Sequence, residues 1–144
     1  NSHVNSVGTF PFERRHQLKV QGLVKGPWGI NMSGYFRFLS GQTWTRQVRS
    51  TDLGAGLNQG ATTVNAEERG SRQLPDVAIL DLRVEKAFKF KPITLRAFAD
   101  IFNIFNVGKA TAVQSISSHP TLVFEEMTNI TAPRVLRLGA KIEF

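Results

Sequence analysis

The stretch Arg137-Leu-Gly-Ala-Lys-Ile-Glu-Phe144 decides how the rest of the chain is read. In an extended chain, Leu138, Ala140, Ile142 and Phe144 fall on one side, and Arg137, Gly139, Lys141 and Glu143 on the other. A period of two held over eight residues marks a strand with one apolar and one polar face. An aromatic residue stands at the last position.

The same period recurs upstream. Residues 93–102 set Ile93, Leu95, Ala97, Ala99 and Ile101 against Thr94, Arg96, Phe98 and Asp100. Residues 77–90 set Ala78, Leu80, Leu82, Val84, Phe88 and Phe90 against Asp81, Arg83, Glu85 and Lys89. Residues 28–40 give the cleanest signal: Trp28, Ile30, Met32, Gly34, Phe36 and Phe38 share one face, and Asn31, Ser33, Tyr35 and Arg37 the other. Alternation of that length has no good helical reading. Residues 14–25 repeat it with Leu18, Val20, Gly22 and Val24 against Gln17, Lys19 and Gln21. The expected fold class is all-β: an antiparallel up-and-down meander of five strands, 14–25, 28–40, 77–90, 93–102 and 134–144.

The connections alternate in length. Gly26-Pro27 and Lys91-Pro92 read as tight turns. Residues 49–76, with Gly54, Gly56, Gly60, Gly70 and Pro75, and residues 103–133, with Asn103, Asn106, Gly108, His119-Pro120 and Pro133, read as long loops. Loops beyond ~12–15 residues are uncommon in compact soluble domains. Transmembrane barrels, in contrast, carry short turns on one side and long loops on the other. Trp28, Phe36, Phe38, Trp44, Phe88 and Phe90 lie near strand ends, where an interfacial girdle would put them; in a soluble sheet they would be core.

Composition bounds the classes. The chain has 144 residues, 41% hydrophobic and 20% charged, which fits one ordinary domain and is not a disordered composition. No apolar run approaches the ~20 residues of a transmembrane helix, whereas barrel strands need only ~9–11. The opening Asn1-Ser-His-Val, with neither initiator Met nor signal peptide, reads as a mature product, a cut product or a fragment. With no Cys there is no disulfide framework or thiol chemistry. A net charge of +7 permits contact with nucleic acid or anionic headgroups without requiring either.

Little in the chain suggests catalysis. His3, His16 and His119 lack metal-ligand spacing. Glu67-Glu68 and Glu125-Glu126 are paired carboxylates in loop-like segments without a partner His or nucleophile, and read as solvated charge. Gly54-x-Gly56-x-x-x-Gly60 has the wrong spacing for a dinucleotide fingerprint, and no Gly-x-Ser-x-Gly elbow exists. Asn31-Met-Ser33 matches the glycosylation sequon inside a strand, and Asn129-Ile-Thr131 matches it in a loop. In Tyr35-Phe-Arg-Phe38 the Phe residues fall opposite Arg37, so a single nucleic-acid-stacking surface could not use both. No catalytic, cofactor-binding or metal-ligating residue, and no nucleic-acid partner, is expected.

Several segments carry a more specific likeness. Pro27-Trp-Gly-Ile30, Ser33-Gly-Tyr-Phe-Arg37, Ser40-Gly41, Gly70-Ser-Arg72, Leu74-Pro-Asp76, Leu80-Asp-Leu-Arg83, Glu85-Lys86, Phe98-Ala-Asp-Ile-Phe-Asn-Ile-Phe-Asn106, Pro133-Arg134 and Arg137-Leu-Gly139 follow one another in an order that resembles the C-terminal end of TonB-dependent outer-membrane receptors. The large receptors with a carboxypeptidase-regulatory-like extension, the Oar-like type, are the nearest likeness. It covers most of residues 10–144 and is most specific in the Asp-x-Phe-Asn-x-Phe-Asn run and the terminal strand. The resemblance implies a bacterial outer-membrane barrel of about 22 strands, a plug domain and energised uptake of a scarce ligand. It also implies that Arg137, Gly139, Ile142 and Phe144 form a sorting strand read by the barrel-assembly machinery. The plug, the energy-coupling segment and most of the barrel have no counterpart in these residues, so no ligand-contacting residue carries over.

Five strands, or six if residues 1–12 supply one, are too few to close a barrel, for which ~8 is the practical minimum. The whole of residues 1–144 therefore reads as one segment of a larger β structure. Three functions follow as expectations. The first is a structural wall segment of an outer-membrane transporter, whose partners are the remaining strands, the plug and lipid. The second is a self-assembling protein whose copies pair edge to edge into a multi-chain barrel or an extracellular filament. The third is a soluble β-sandwich binding module.

Overall fold

The computed structural model describes residues 4–58 and 60–144. His3 lies outside the described residues. The chain is all-β and antiparallel. Its strands, in chain order, are β1 Gln17–Lys25, β2 Ile30–Leu39, β3 Thr43–Trp44, β4 Gln47–Arg49, β5 Thr63–Asn65, β6 Arg72–Gln73, β7 Val77–Phe90, β8 Ile93–Phe102, β9 Ala110–Val113, β10 Met127–Ile130 and β11 Val135–Glu143. The sequence reads as one segment; its residues group into two compact units. A sheet unit holds residues 17–39, 77–108 and 132–144, and a loop unit holds residues up to 16, 40–76 and 109–131.

The sheet unit is one five-stranded sheet in the order β1-β2-β7-β8-β11, every neighbouring pair antiparallel. Spatial order follows chain order, so these strands form the expected meander. Both tight turns leave one end of the sheet and both long connections leave the other, as antiparallel pairing requires. The β7–β8 turn is Lys91-Pro92, as the sequence predicts. The β1–β2 turn is longer than predicted. Trp28 and Gly29 take left-handed backbone angles (φ +58° and +72°), and the Gly26 N–H donates to the Ile30 carbonyl at 2.7 Å. A Cβ at Gly29 would lie 2.9 Å from the Ala87 carbonyl oxygen, which reserves that turn position for glycine. Trp28 therefore belongs to the turn rather than to the strand face, and is 84% exposed.

The loop unit contains more structure than the long-loop reading foresees. Three short antiparallel ribbons form: β3 with β6, β4 with β5, and β9 with β10. Each is only two to four residues long, too short for alternation to be visible. Side chains tie them together. Thr43 Oγ1 donates to the Phe10 carbonyl at 2.7 Å, and the Arg49 N–H donates to Ser118 Oγ at 2.8 Å. The Asn5 and Asn65 side-chain amides each donate to the other's backbone carbonyl at 3.1 Å. Residues 4–12, the described part of the candidate sixth strand, form no strand; Gly8 makes an isolated bridge to Arg69 within this unit.

Candidate functional site

Register separates the two faces of the sheet without ambiguity. Residues directly opposite one another share a face. The rows Val20-Phe36-Leu80, Val24-Met32-Val84-Ala99-Leu138 and Phe88-Leu95-Ile142 belong to one face. Lys86, opposite Ile30 and Ala97, is the one formal charge among its paired positions. No second layer within the sheet unit covers this face. Leu18, Val20, Val24, Met32, Val84, Leu136 and Ile142 are exposed, and Leu138 is 72% exposed.

The opposite face carries a connected ion-pair network across β7, β8 and β11. Asp100 lies at its centre and is 3% exposed. Arg137 grips one oxygen, Asp100 Oδ2, through Nη2 at 2.6 Å and Nε at 2.8 Å. Arg83 Nη1 stands 3.6 Å from the other oxygen and its Nη2 3.4 Å from Glu85. Arg96 bridges Glu85 at 3.2 Å and Glu143 at 3.1 Å, and Lys141 meets Glu143 at 2.9 Å. These contacts join β7, β8 and β11 side chain to side chain: Arg83, Asp100 and Arg137 share one row, and Arg96 reaches diagonally to Glu85 and Glu143 in neighbouring rows. A concavity of about 550 Å³ opens over this face, lined by Gln21, Tyr35, Asp81, Arg83, Phe102 and Arg137 among others.

The four residues of the predicted sorting strand divide between the faces. Arg137 is in the ion-pair network, and Gly139 lies opposite Phe98 on the same face. Ile142 lies opposite Leu95 on the apolar face, and Phe144 follows the last ladder pair fully exposed. Phe98 is a residue that a search for chemistry passes over. Its signal was its phase: an aromatic side chain at a charged-face position.

The Asp-x-Phe-Asn-x-Phe-Asn run forms the corner after β8. Asn103 and Asn106 both adopt φ near +50°, a conformation Asn tolerates well. The Asn103 side chain is buried, donates to the carbonyls of Val107 and Ala132, and accepts from the Val107 N–H. Asn106 Oδ1 accepts from the Arg134 N–H at 2.9 Å. The corner thereby aims the chain entering β11.

The loop unit carries a separate cluster. Arg72 Nε donates to Glu67 at 2.6 Å, Arg72 also pairs with Glu125, and its guanidinium stands 5.3 Å from the ring centroids of both Trp44 and Phe124. The hydrogen bond from Arg72 holds the Glu67 carboxyl below the ordinary carboxylate range, against the opposing effect of burial. His119 Nδ1 accepts from the N–H groups of Thr121 and Leu122, a local turn bond. Among the described residues, no group of three His, Cys, Asp or Glu is arranged to hold a metal ion. The chain matches no family model, no curated protein and no solved structure.

Proposed function

We propose that the five-stranded sheet is a wall segment of a bacterial outer-membrane β-barrel, the C-terminal part of a TonB-dependent receptor, with its apolar face toward lipid and its charged face toward the lumen. On this reading the role is structural rather than catalytic. The observation that carries it is that the sheet's apolar face is the exposed one. Among the described residues of the sheet unit, the buried side chains are Val77, Ile79, Asp100 and Asn103, none of them at an apolar-face position. A soluble domain of this length buries apolar side chains first. Here a broad sheet face is left apolar and open, with Leu18, Val20, Val24, Met32, Leu136, Leu138 and Ile142 exposed.

Three further features support the same reading. Strands β1, β2, β8 and β11 have 9 or 10 residues, the length that spans a bilayer at a barrel's tilt. Short turns leave one end of the sheet and long connections the other. Lys86, on the apolar face, holds its ammonium 5.2 Å from the Phe88 ring centroid, so it bends toward the turn end as a snorkelling lysine does.

Both edge strands, β1 and β11, leave backbone groups unpaired and require partners. Strand parity favours further receptor strands over copies of this chain. In a five-stranded meander β1 and β11 run in the same direction, so head-to-tail copies would meet in parallel, unlike an outer-membrane barrel. Two-fold pairing of β11 with β11 would be antiparallel. It would also send the long connections of the two copies to opposite ends, against the one-sided loops of such barrels.

The test uses the absence of cysteine. Leu138→Cys and Lys141→Cys variants are placed in lipid vesicles and exposed to a water-soluble maleimide. Labelling at position 141 with protection at 138, and labelling of both after denaturation, is expected. Equal labelling in the membrane, or a monodisperse monomer in detergent-free buffer, would sink the reading in favour of a soluble module.

A further inference from the structure

We propose that Phe98 and Gly139 are a paired register key for the closing β8–β11 hairpin, and that Gly139 is selected as the seat of the Phe98 ring. The register places the two opposite one another. A Cβ built on Gly139 would overlap Phe98 Cζ and lie 2.8 and 2.9 Å from Cε2 and Cε1. The ring therefore lies across the glycine, in the volume any other residue's side chain would fill. Arg83 holds the ring from β7: its guanidinium carbon stands 4.1 Å from the ring centroid. Arg83 also reaches Asp100, which Arg137 grips, so Phe98-Gly139 and Arg83-Asp100-Arg137 occupy adjacent rows across the same strands.

This arrangement selects one register. A slip of one residue would turn every apolar side chain of β11 onto the charged face and is excluded by the alternation. A slip of two keeps the faces, so the alternation does not oppose it. It would bring Phe98 opposite Arg137 or Lys141, whose side chains claim the space of the ring. On the charged face of β11, comprising Val135, Arg137, Gly139, Lys141 and Glu143, glycine occurs once. The Phe98 ring therefore discriminates between registers that hydrophobic patterning alone leaves equivalent. The resemblance makes Gly139 a residue that the assembly machinery reads; the geometry makes it a residue that Phe98 reads. The key stands on the ladder itself, and its consequence for membrane insertion rests on the barrel reading above.

The experiment compares disulfide yields. The pair Ala97→Cys with Ala140→Cys reports the native register, because these residues are directly opposite. Ala97→Cys with Leu138→Cys, and Ala97→Cys with Ile142→Cys, report the two slips of two residues. In the otherwise natural chain the 97–140 bond should dominate. Gly139→Ala should lower the ratio of native to slipped bonds about tenfold, the scale of an overpacking penalty. Phe98→Ala with Gly139 intact should also lower it, because the ring that opposes the slips is gone, and Phe98→Tyr should leave it unchanged. An unaltered ratio in Gly139→Ala, or in Phe98→Ala, would overturn the key. Outer-membrane insertion of the same variants is read in parallel. A ratio that falls while insertion is unchanged would leave the key standing and remove its role in assembly; a natural chain that never inserts would instead defeat the barrel reading.

Discussion

The sheet unit and the loop unit are both antiparallel β structure, yet they are specified differently. In the sheet unit, ladders of nine or ten residue pairs repeat one rule, apolar on one face and charged on the other, across five strands. In the loop unit, ladders of two or three pairs are fixed by individual bonds: Thr43 to Phe10, Arg49 to Ser118, Asn5 to Asn65 and Arg72 to Glu67. A repeated rule tolerates the loss of any one bond, but not a change of polarity in its middle. A set of single bonds behaves the opposite way. The difference predicts where each unit breaks.

The largest effect is expected from a polarity change within the sheet. Leu82 lies on the apolar face of the central strand β7, opposite Gly34 and Ile101. Leu82→Arg should cost about 2–4 kcal/mol if that face meets lipid near the bilayer midplane. Thr63→Arg, at an exposed ribbon position of the loop unit, should stay within about 0.5 kcal/mol. Denaturant unfolding in vesicles measures both. Equal costs would erase the distinction between the units.

A somewhat smaller effect is expected where the sheet unit departs from its own rule. Asn103 holds the corner by individual bonds, in the manner of the loop unit, and does so at φ +51°. Asn103→Ala loses those bonds and places a Cβ residue without a compensating side chain in the left-handed region, at a cost of about 2 kcal/mol. Asn103→Gly relieves the backbone while still losing the bonds, so it should recover part of the loss. If glycine is no better than alanine, the backbone angle is not what Asn103 supplies.

The same contrast explains what the sequence made legible. All five long strands could be bounded within three residues, because alternation over nine or more positions leaves one phase consistent with a uniform face. The start of β2 was misplaced: Trp28 fits the apolar phase, and only the turn geometry of Pro27 and Gly29 removes it. The ribbons of the loop unit could not be seen, since two to four residues carry no period. The partners of Thr43, Asn65 and Arg72 are remote in sequence or act through backbone groups that have no sequence identity. Within the candidate site, the charges of Arg83, Asp100 and Arg137 were visible as a face, but their pairing was not, because it depends on register. Gly139 was visible as a gap in the pattern; that Phe98 fills it emerges only when the strands are paired.

Third in size is the charge network. Asp100 is buried, while Arg137 remains more than half exposed, so removing the charge leaves one partner free to rehydrate. Asp100→Asn keeps the size and one acceptor, and should cost about 1 kcal/mol in unfolding free energy. The effect should extend along the face. A cysteine probe replacing Lys141, four residues from Arg137 on the same face, should react faster with a water-soluble maleimide in the Asp100→Asn background. Unchanged reactivity would mean that the rows act separately, and the sheet's charged face would resemble the loop unit more than its own apolar side.

The smallest effect is expected in the loop unit and is a matter of pH. Arg72 Nε donates to Glu67 Oε1 at 2.6 Å, and the Arg46 N–H donates to the same oxygen at 3.1 Å. These bonds hold the Glu67 carboxyl below its ordinary range, the Arg72 bond most strongly. A folded value below the unfolded value of ~4.3 has one sign. The bond stabilises the fold fully above the unfolded value, and that contribution is lost as pH falls through the lowered folded value. Both side chains are partly exposed, so the size is that of a surface pair. Amide exchange of β3 and β6, expressed as protection factors between pH 6 and 3, should show protection in the natural chain declining with acid. Glu67→Gln should start lower and change less across the same range. Strands β7 and β8 serve as the internal reference, since a variant confined to one bond of the loop unit should leave their protection alone. If Glu67→Gln instead lowers protection in β7 and β8 as much as in β3 and β6, the two units are a single cooperative structure, and the contrast between a repeated rule and a set of single bonds does not describe how this chain holds together.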